Sequence, residues 1–177
     1  MSTRYEYYNT GDVGGDGCWD IKWVAQTFTP SIAHKITSVK LKLSKWGSPG
    51  IITVSIRATN GSGHPNGADL CSGTTNGNTL PTGEPSEWRE ITLGAGYDLS
   101  ADTKYAIVVR ALTGDGANFP IWRVDNAAPT YTGGCWERSV NSGGTWISNA
   151  GIDFMFEEWG EPVTGPTVTT EPVSDIG

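Results

Sequence analysis

The chain is poor in charge, in cysteine and in uninterrupted apolar sequence. Lys, Arg, Asp and Glu supply 18% of its 177 residues, against the roughly one quarter usual for a globular domain. The 12 basic residues are outnumbered by 19 acidic ones, a net charge of −7. Such a balance excludes a general nucleic-acid binder and a polybasic membrane-surface protein, since both need cations facing phosphate. No apolar run is long enough for a membrane-spanning helix, so no membrane insertion is expected. Met1-Ser2-Thr3-Arg4-Tyr5 lacks the basic and then apolar pattern of a secretory signal. With only 3 cysteines and 2 histidines, the chain is neither a disulfide-stapled miniprotein nor, on spacing, a zinc protein.

Helix signals are equally scarce. No stretch keeps apolar residues at i, i+3, i+4 and i+7 for three turns without a glycine or proline interrupting. What the chain has instead is glycine (24), proline (10) and tryptophan (8), set around short alternating segments. In 36–44, Val39, Leu41 and Leu43 point one way and Lys40, Lys42 and Ser44 the other. After the turn cluster Trp46-Gly47-Ser48-Pro49-Gly50, the run 51–58 turns Ile52, Val54, Ile56 and Ala58 inward and Thr53, Ser55 and Arg57 outward. These two read as consecutive antiparallel strands. Trp88 to Leu93 alternates too, followed by a connection over 97–103. Lys104 to Leu112 is apolar on both faces and reads as a central strand. Further strands are expected at 23–29, 70–74, 120–124, 135–140, 145–147 and 152–159, with Asn141-Ser142-Gly143-Gly144 as a hairpin-like turn. Many short strands and polar loops without helices imply an all-β, antiparallel two-sheet β-sandwich, jelly-roll-like.

The length suits one domain, expected over residues 1–160. Residues 161–177, containing Glu161-Pro162-Val163-Thr164-Gly165-Pro166, read as a Pro/Thr-rich linker or the start of a following module, so the domain is expected to belong to a longer modular protein.

Two cysteines sit in echoing contexts, Gly17-Cys18-Trp19-Asp20 and Gly134-Cys135-Trp136-Glu137. A Cys18–Cys135 bridge would close a very long loop and contribute about 4–5 kcal/mol by loop entropy. Two unpaired thiols are the alternative. Cys71 is expected to be a small buried apolar residue.

The order of several segments is similar to the choice-of-anchor R type of β-sandwich domain. They include Ala25-Gln26-Thr27-Phe28-Thr29-Pro30, Ile36-Thr37-Ser38-Val39-Lys40-Leu41, Gly63-His64-Pro65-Asn66-Gly67, Leu99-Ser100-Ala101-Asp102-Thr103-Lys104-Tyr105, and Gly143-Gly144-Thr145-Trp146 followed by Asp153-Phe154-Met155-Phe156. The resemblance covers most of residues 23–159. It implies a carbohydrate-binding-module-like jelly roll in a large exported or surface-displayed protein, on the cell or virion surface, and carries no catalytic residues. The tail from Pro166-Thr167-Val168-Thr169-Thr170 resembles the opening of a fibronectin-like repeat.

Flat aromatic rings stack on the C–H faces of sugars while acids, amides and guanidinium groups bond their hydroxyls. The densest mixture of these groups is Trp122-Arg123-Val124-Asp125-Asn126, then Tyr131, then Trp136-Glu137-Arg138. A glycan site is therefore expected from Trp136, Tyr131, Arg123, Asp125, Trp122, Trp19 and Glu137. Alternation sets Arg123 and Asp125 opposite Trp122, which makes Trp122 a core residue if the first two meet solvent. Asp12, Asp16 and Asp20 raise a calcium site, although solvated loop carboxylates explain them as well and the EF-hand spacing is absent. Glu157 and Glu158 fall on opposite faces of a strand and cannot share a substrate. The expectation is non-catalytic recognition or adhesion, with a glycan or a neighbouring protein module as partner. Self-assembly into a surface layer, fibre or virion is the other reading, separable by sedimentation.

Overall fold

Alternating in-and-out side chains give this chain strands, and turn-forming glycine, asparagine and proline set their ends. The computed structural model describes residues 1–163, so the linker and the fibronectin-like opening lie outside the described residues. In chain order the strands are β1 (Thr3–Tyr8), β2 (Gly14–Gly17), β3 (Trp23–Phe28), β4 (His34–Trp46), β5 (Ile51–Thr59), β6 (Pro65–Asn76) and β7 (Glu87–Leu99). They continue as β8 (Tyr105–Arg110), β9 (Phe119–Asp125), β10 (Trp136–Ser139), β11 (Ile147–Asn149), β12 (Asp153–Phe154) and β13 (Phe156–Pro162). A single 3₁₀ turn, Gly77–Thr79, is the one helical element among the described residues.

Two antiparallel sheets stack face to face. The seven-stranded sheet runs β1-β13-β4-β9-β12, with β2 on β9 and β7 on β4. The six-stranded sheet runs β11-β10-β3-β8-β5-β6. Between β2 and β10 the chain repeatedly changes sheet, the interleaving of a jelly-roll-like sandwich. This corrects one expectation. Although β4 and β5 follow each other, they do not pair: β4 bonds β7, β9 and β13, whereas β5 bonds β6 and β8. Alternation fixes which way a side chain points but not which strand lies alongside, and the turn 47–50 carries the chain across to the other sheet.

The inner faces make one core. Val39, Leu41 and Leu43 from β4 meet Val54, Ile56, Ile107 and Val109 from the opposite sheet. Burying side chains of this size stabilises the fold by about 1.5–3 kcal/mol each. As expected, β8 is central and buried on both faces. Ala58 is exposed, at the open end of β5. Tyr97, Asp98 and Leu99, expected in a connection, extend β7 and pair with β4. Glu161 and Pro162, expected in the linker, complete β13 opposite Lys35 and His34.

On one side the sheets come into close contact through β6 and β7. A Cβ on Gly73 would land on the carbonyl oxygen of Thr92. Only glycine allows that approach. On the other side, buried amide and acid side chains cross the gap. Gln26 Nε2 donates to Asp153 Oδ1 at 3.0 Å, and Gln26 Oε1 accepts from the Phe154 backbone at 2.8 Å. Burial pushes the Asp153 carboxyl up to about 6, against the pull of its bond from Gln26.

Candidate functional site

The residues expected to bind sugar are dispersed over both layers. Trp122 is 1% exposed. It stacks on Phe154 with ring centroids 4.1 Å apart, and its indole N–H donates to the Met155 carbonyl at 2.8 Å. Trp136 is buried on the inner face and donates to Asp16 at 3.1 Å. Neither can offer a face to a ligand; a sandwich without helices fills its middle with its largest side chains. Asp125 is buried too, accepting from Tyr8 Oη at 2.7 Å and from the Ala127 and Ala128 amides at 3.0 and 3.1 Å. Those bonds, Tyr8's foremost, hold its carboxyl below the ordinary range and give it the job of capping a turn.

Arg123, on β9, turns its side chain to the outer face of the seven-stranded sheet, where Asp12 (2.7 Å) and Glu84 (2.7 Å) occupy it. Trp19 is half-buried against Phe119, with Lys22 over its ring at 4.4 Å. Tyr131 lies edge-on to Phe156, and its hydroxyl donates to Glu6 at 3.1 Å. It borders a groove of about 340 Å³ with Tyr7, Tyr8, Asn9 and Thr130. The hydroxyls of Tyr8 and Tyr131 are already committed there.

The acidic loop makes no calcium cage. Asp12 is taken by Lys42 (2.6 Å) and Arg123, and Asp16 by Lys22 (2.8 Å) and the Trp136 indole. Among the described residues no cluster of three acids, histidines or cysteines could hold a metal ion. Asp12 and Asp16 are therefore ion-paired, whereas Asp20 is exposed to solvent, and the three do not converge. The cysteines are unbridged as well. The Cys18 amide is tied to Pro120 in the seven-stranded sheet, whereas that of Cys135 bonds Thr27 in the other. Burial pushes the Cys18 thiol up to about 12, and that of Cys71 up to about 11.

Of the expected residues, Glu137 alone leads to a cleft with uncommitted chemistry. Period-two alternation sends Trp136 inward and Glu137 to the outer face of the six-stranded sheet. There, at 2% exposure, its carboxylate is met by His64 Nδ1 at 2.8 Å. Burial raises the Glu137 carboxyl, and the histidine bond opposes that rise. Around this pair the outer face carries its own small apolar cluster, Trp23, Ala25, Ala106 and Val108, with Trp146 packed against it.

Two loops fold back over that cluster and leave a cleft of about 280 Å³ between them. One wall is Asn60, His64 and Asn66, and the other is Gly143, Thr145 and Trp146. Each wall is held locally. Asn60 Oδ1 accepts from the Ser62 and His64 amides, and Ser139 Oγ accepts from the Gly143 amide at 2.9 Å. Gly143, at φ +80°, lies against the Trp23 ring, where a Cβ would stand 3.0 Å from the nearest ring carbon. The Trp146 ring is half-exposed, and its buried indole N–H has no hydrogen-bond partner among the described residues.

Below the cleft, Arg57 and Arg110 project from adjacent central strands and share Asp69. Arg57 Nε reaches its Oδ1 at 2.8 Å, and Arg110 grips both oxygens. Both guanidinium groups lie over Trp23, 5.3 and 5.1 Å from its centroid. Burial acts to raise the Asp69 carboxyl, but the two arginines together bring it below the ordinary range.

Sequence reasoning set Arg57 outward but missed Trp23, His64 and Trp146 as neighbours. Trp146 was expected in a strand over 145–147; the strand is Ile147–Asn149, and Trp146 belongs to the loop. The contact of His64 with Glu137 joins residues 73 apart, and no local pattern records it.

No family model matches this chain, and no curated protein matches it. A solved structure does. It is that of the cysteine protease and lectin-like domains of Cwp84, a surface layer associated protein of Clostridium difficile. The TM-score is 0.56 at 14% identity, covering 91% of this chain and 36% of that one. The chain thus spans about a third of the length of its structural neighbour, and the likeness is one of fold. No helix among the described residues is long and apolar enough to cross a membrane.

Proposed function

We propose that this chain is a non-catalytic recognition module of a cell or virion surface, with carbohydrate as its ligand, bound in the cleft between the loops at 60–66 and 143–146. The observation that carries the reading is Trp146. Its half-exposed ring stands over an apolar floor and faces the side chains of Asn60, His64 and Asn66 across the gap. An aromatic platform beside convergent polar groups is what a sugar ring requires, an apolar face and a hydroxylated edge being satisfied together. The lectin-like domain and surface-layer association named for the Clostridium difficile protein support it. So does the resemblance to choice-of-anchor R domains, which we carry as part of the proposal. The test is a glycan array of the native chain beside Trp146→Ala, with circular dichroism as the folding control. Binding that survives the substitution refutes the site.

A second reading, assembly with other modules, is favoured by a different place. At the end of the sandwich where the loops near residues 21, 46–51 and 112 meet, Ile21, Trp46, Ile51 and Leu112 are each more than half exposed. These loops are bonded together: the Asp20 amide donates to Ala111, and Thr113 Oγ1 to Pro49. An exposed apolar tip of this kind suits burial against a neighbouring domain. Concentration-dependent sedimentation supports this reading, and a strict monomer that binds glycan refutes it.

A further inference from the structure

We infer that the ligand of the cleft is an acidic saccharide, one carrying carboxylate groups, rather than a neutral one; this rests on the reading of the cleft as a carbohydrate site. The chain as a whole carries −7, yet this face gathers cations. Arg57 and Arg110 share the single carboxylate of Asp69, which leaves one positive charge uncompensated. Arg57 uses only its Nε on Asp69 among the described residues. Its Nη1 lies 3.6 Å from where Gly143, a residue of the cleft wall, would carry a Cβ. Lys104 adds a second cation on the opposite side, without an ion-pair partner within 4 Å among the described residues. It is exposed, and its Nζ lies 3.5 Å from the corresponding position on Gly63, next to His64.

The anions on this face are covered. Glu137 has a side chain 3% exposed and is capped by His64, and Asp69 is held by both arginines. The cleft is lined by Asn60, His64, Asn66 and Trp146, and the cations stand at its margins, Arg57 beside Gly143 and Lys104 beside Gly63. The carboxylates of Glu137 and Asp69 are taken by His64 and the arginines. Guanidinium groups already held over the Trp23 ring and by Asp69 lose little freedom in binding a carboxylate. On an otherwise acidic molecule a local cationic site also selects strongly, because the surrounding field repels anions from everywhere else.

The experiment is affinity electrophoresis of the full chain in gels containing polygalacturonate or hyaluronan, compared with dextran or galactomannan. Acidic polymers are expected to retard the native chain and neutral ones not. Retardation is expected to fade as salt rises, since Debye screening weakens exposed charge pairs. Lys104→Gln, on an exposed side chain outside the core, is expected to weaken binding about tenfold, the worth of one charge-assisted contact. Arg57→Gln serves as the second variant, with its fold checked by circular dichroism. Equal retardation by neutral polymers, or salt-independent retardation unaffected by Lys104→Gln, overturns the acidic ligand while leaving the carbohydrate site standing. Retardation by neither class overturns both.

Discussion

Tyr5 lies flat on His34, the two rings 3.6 Å apart at their centroids and 2° from parallel. Under that cover His34 Nε2 meets Glu158 Oε1 at 2.7 Å, both side chains fully buried, and Nδ1 donates to the Ile32 carbonyl at 2.7 Å. A carbonyl and a carboxylate both accept, so either the imidazole carries two protons or the second sits on Glu158. The native pair holds that proton tightly. Burial works to lower the affinity of His34, but the bond and charge of Glu158 outweigh it and the net shift is upward. Glu158 is raised as well, by burial foremost, with His34 opposing.

A pH dependence follows from that sign. An unfolded chain releases its histidine proton near pH 6.5, before the native chain does. The stabilisation is full below that value and is lost as pH rises through the folded one; the raised Glu158 acts in the same direction from lower pH. Unfolding free energies from urea titration are expected to fall from pH 6 to pH 8, with a slope of at most about 1.4 kcal/mol per pH unit for one proton. The double variant His34→Gln/Glu158→Gln is expected to flatten the profile. A native profile already flat in this range contradicts the assignment.

The tryptophans divide sharply by position. Trp122→Ala is expected to cost about 3–5 kcal/mol, the usual loss for emptying a large aromatic site in a close-packed core. Trp88, 38% exposed on β7, is expected to cost about 0.5 kcal/mol or less. Equilibrium denaturation of the two variants side by side checks the difference, and equal losses would mean that Trp122 is not internal.

Gly73→Ala tests how closely the sheets approach at β6 and β7. The new methyl would strike the Thr92 carbonyl, which is backbone and cannot rotate away. A loss of about 1–3 kcal/mol is expected, as for overpacking elsewhere. Gly67→Ala is no neutral control despite the open space around it, because its φ of +75° strains any side chain. Gly61→Ala, with room and no such φ, is expected to be silent.

Thiol titration checks the cysteines. Intact mass without reductant is expected to correspond to 3 free thiols, with no loss of two hydrogens. In the native protein Cys18 is expected to resist alkylation, since a buried thiol held near 12 supplies almost no thiolate at neutral pH. All 3 react once the chain is denatured. A bridged Cys18–Cys135 species in the native mass would refute this.

Strand identity was legible wherever a side chain's direction was all that mattered. Val39, Leu41 and Leu43 alternate with Lys40 and Lys42 in sequence and stand on opposite faces in the fold. The same rule correctly separates Glu157, which bonds Arg4 and Asn9 outside, from Glu158 within. What it does not encode is partnership. The separation of β4 from β5 and the meeting of His64 with Glu137 depend on where loops carry the chain. For the site, local density of tryptophan, arginine and acid pointed to 122–137, but a strand that mixes these types divides them between two faces. The cleft instead draws on Asn60 and His64, from a segment whose sequence reads only as turn, and on Trp146, from one that reads as a strand and folds as a loop.

β1 runs along β13 with Thr3 opposite Gly160 and Tyr8 opposite Phe156. Tension applied across Thr3 and Gly160 would therefore meet the backbone bonds of this pair singly, in succession, as a zipper is drawn. Peeling begins at Arg4, whose guanidinium leaves Glu157. As it passes Tyr5, the ring lifts from His34 and uncovers the buried His34–Glu158 pair. For a domain mounted by those two ends, load thus falls first on β1, at the edge of the sheet opposite the one that carries the cleft.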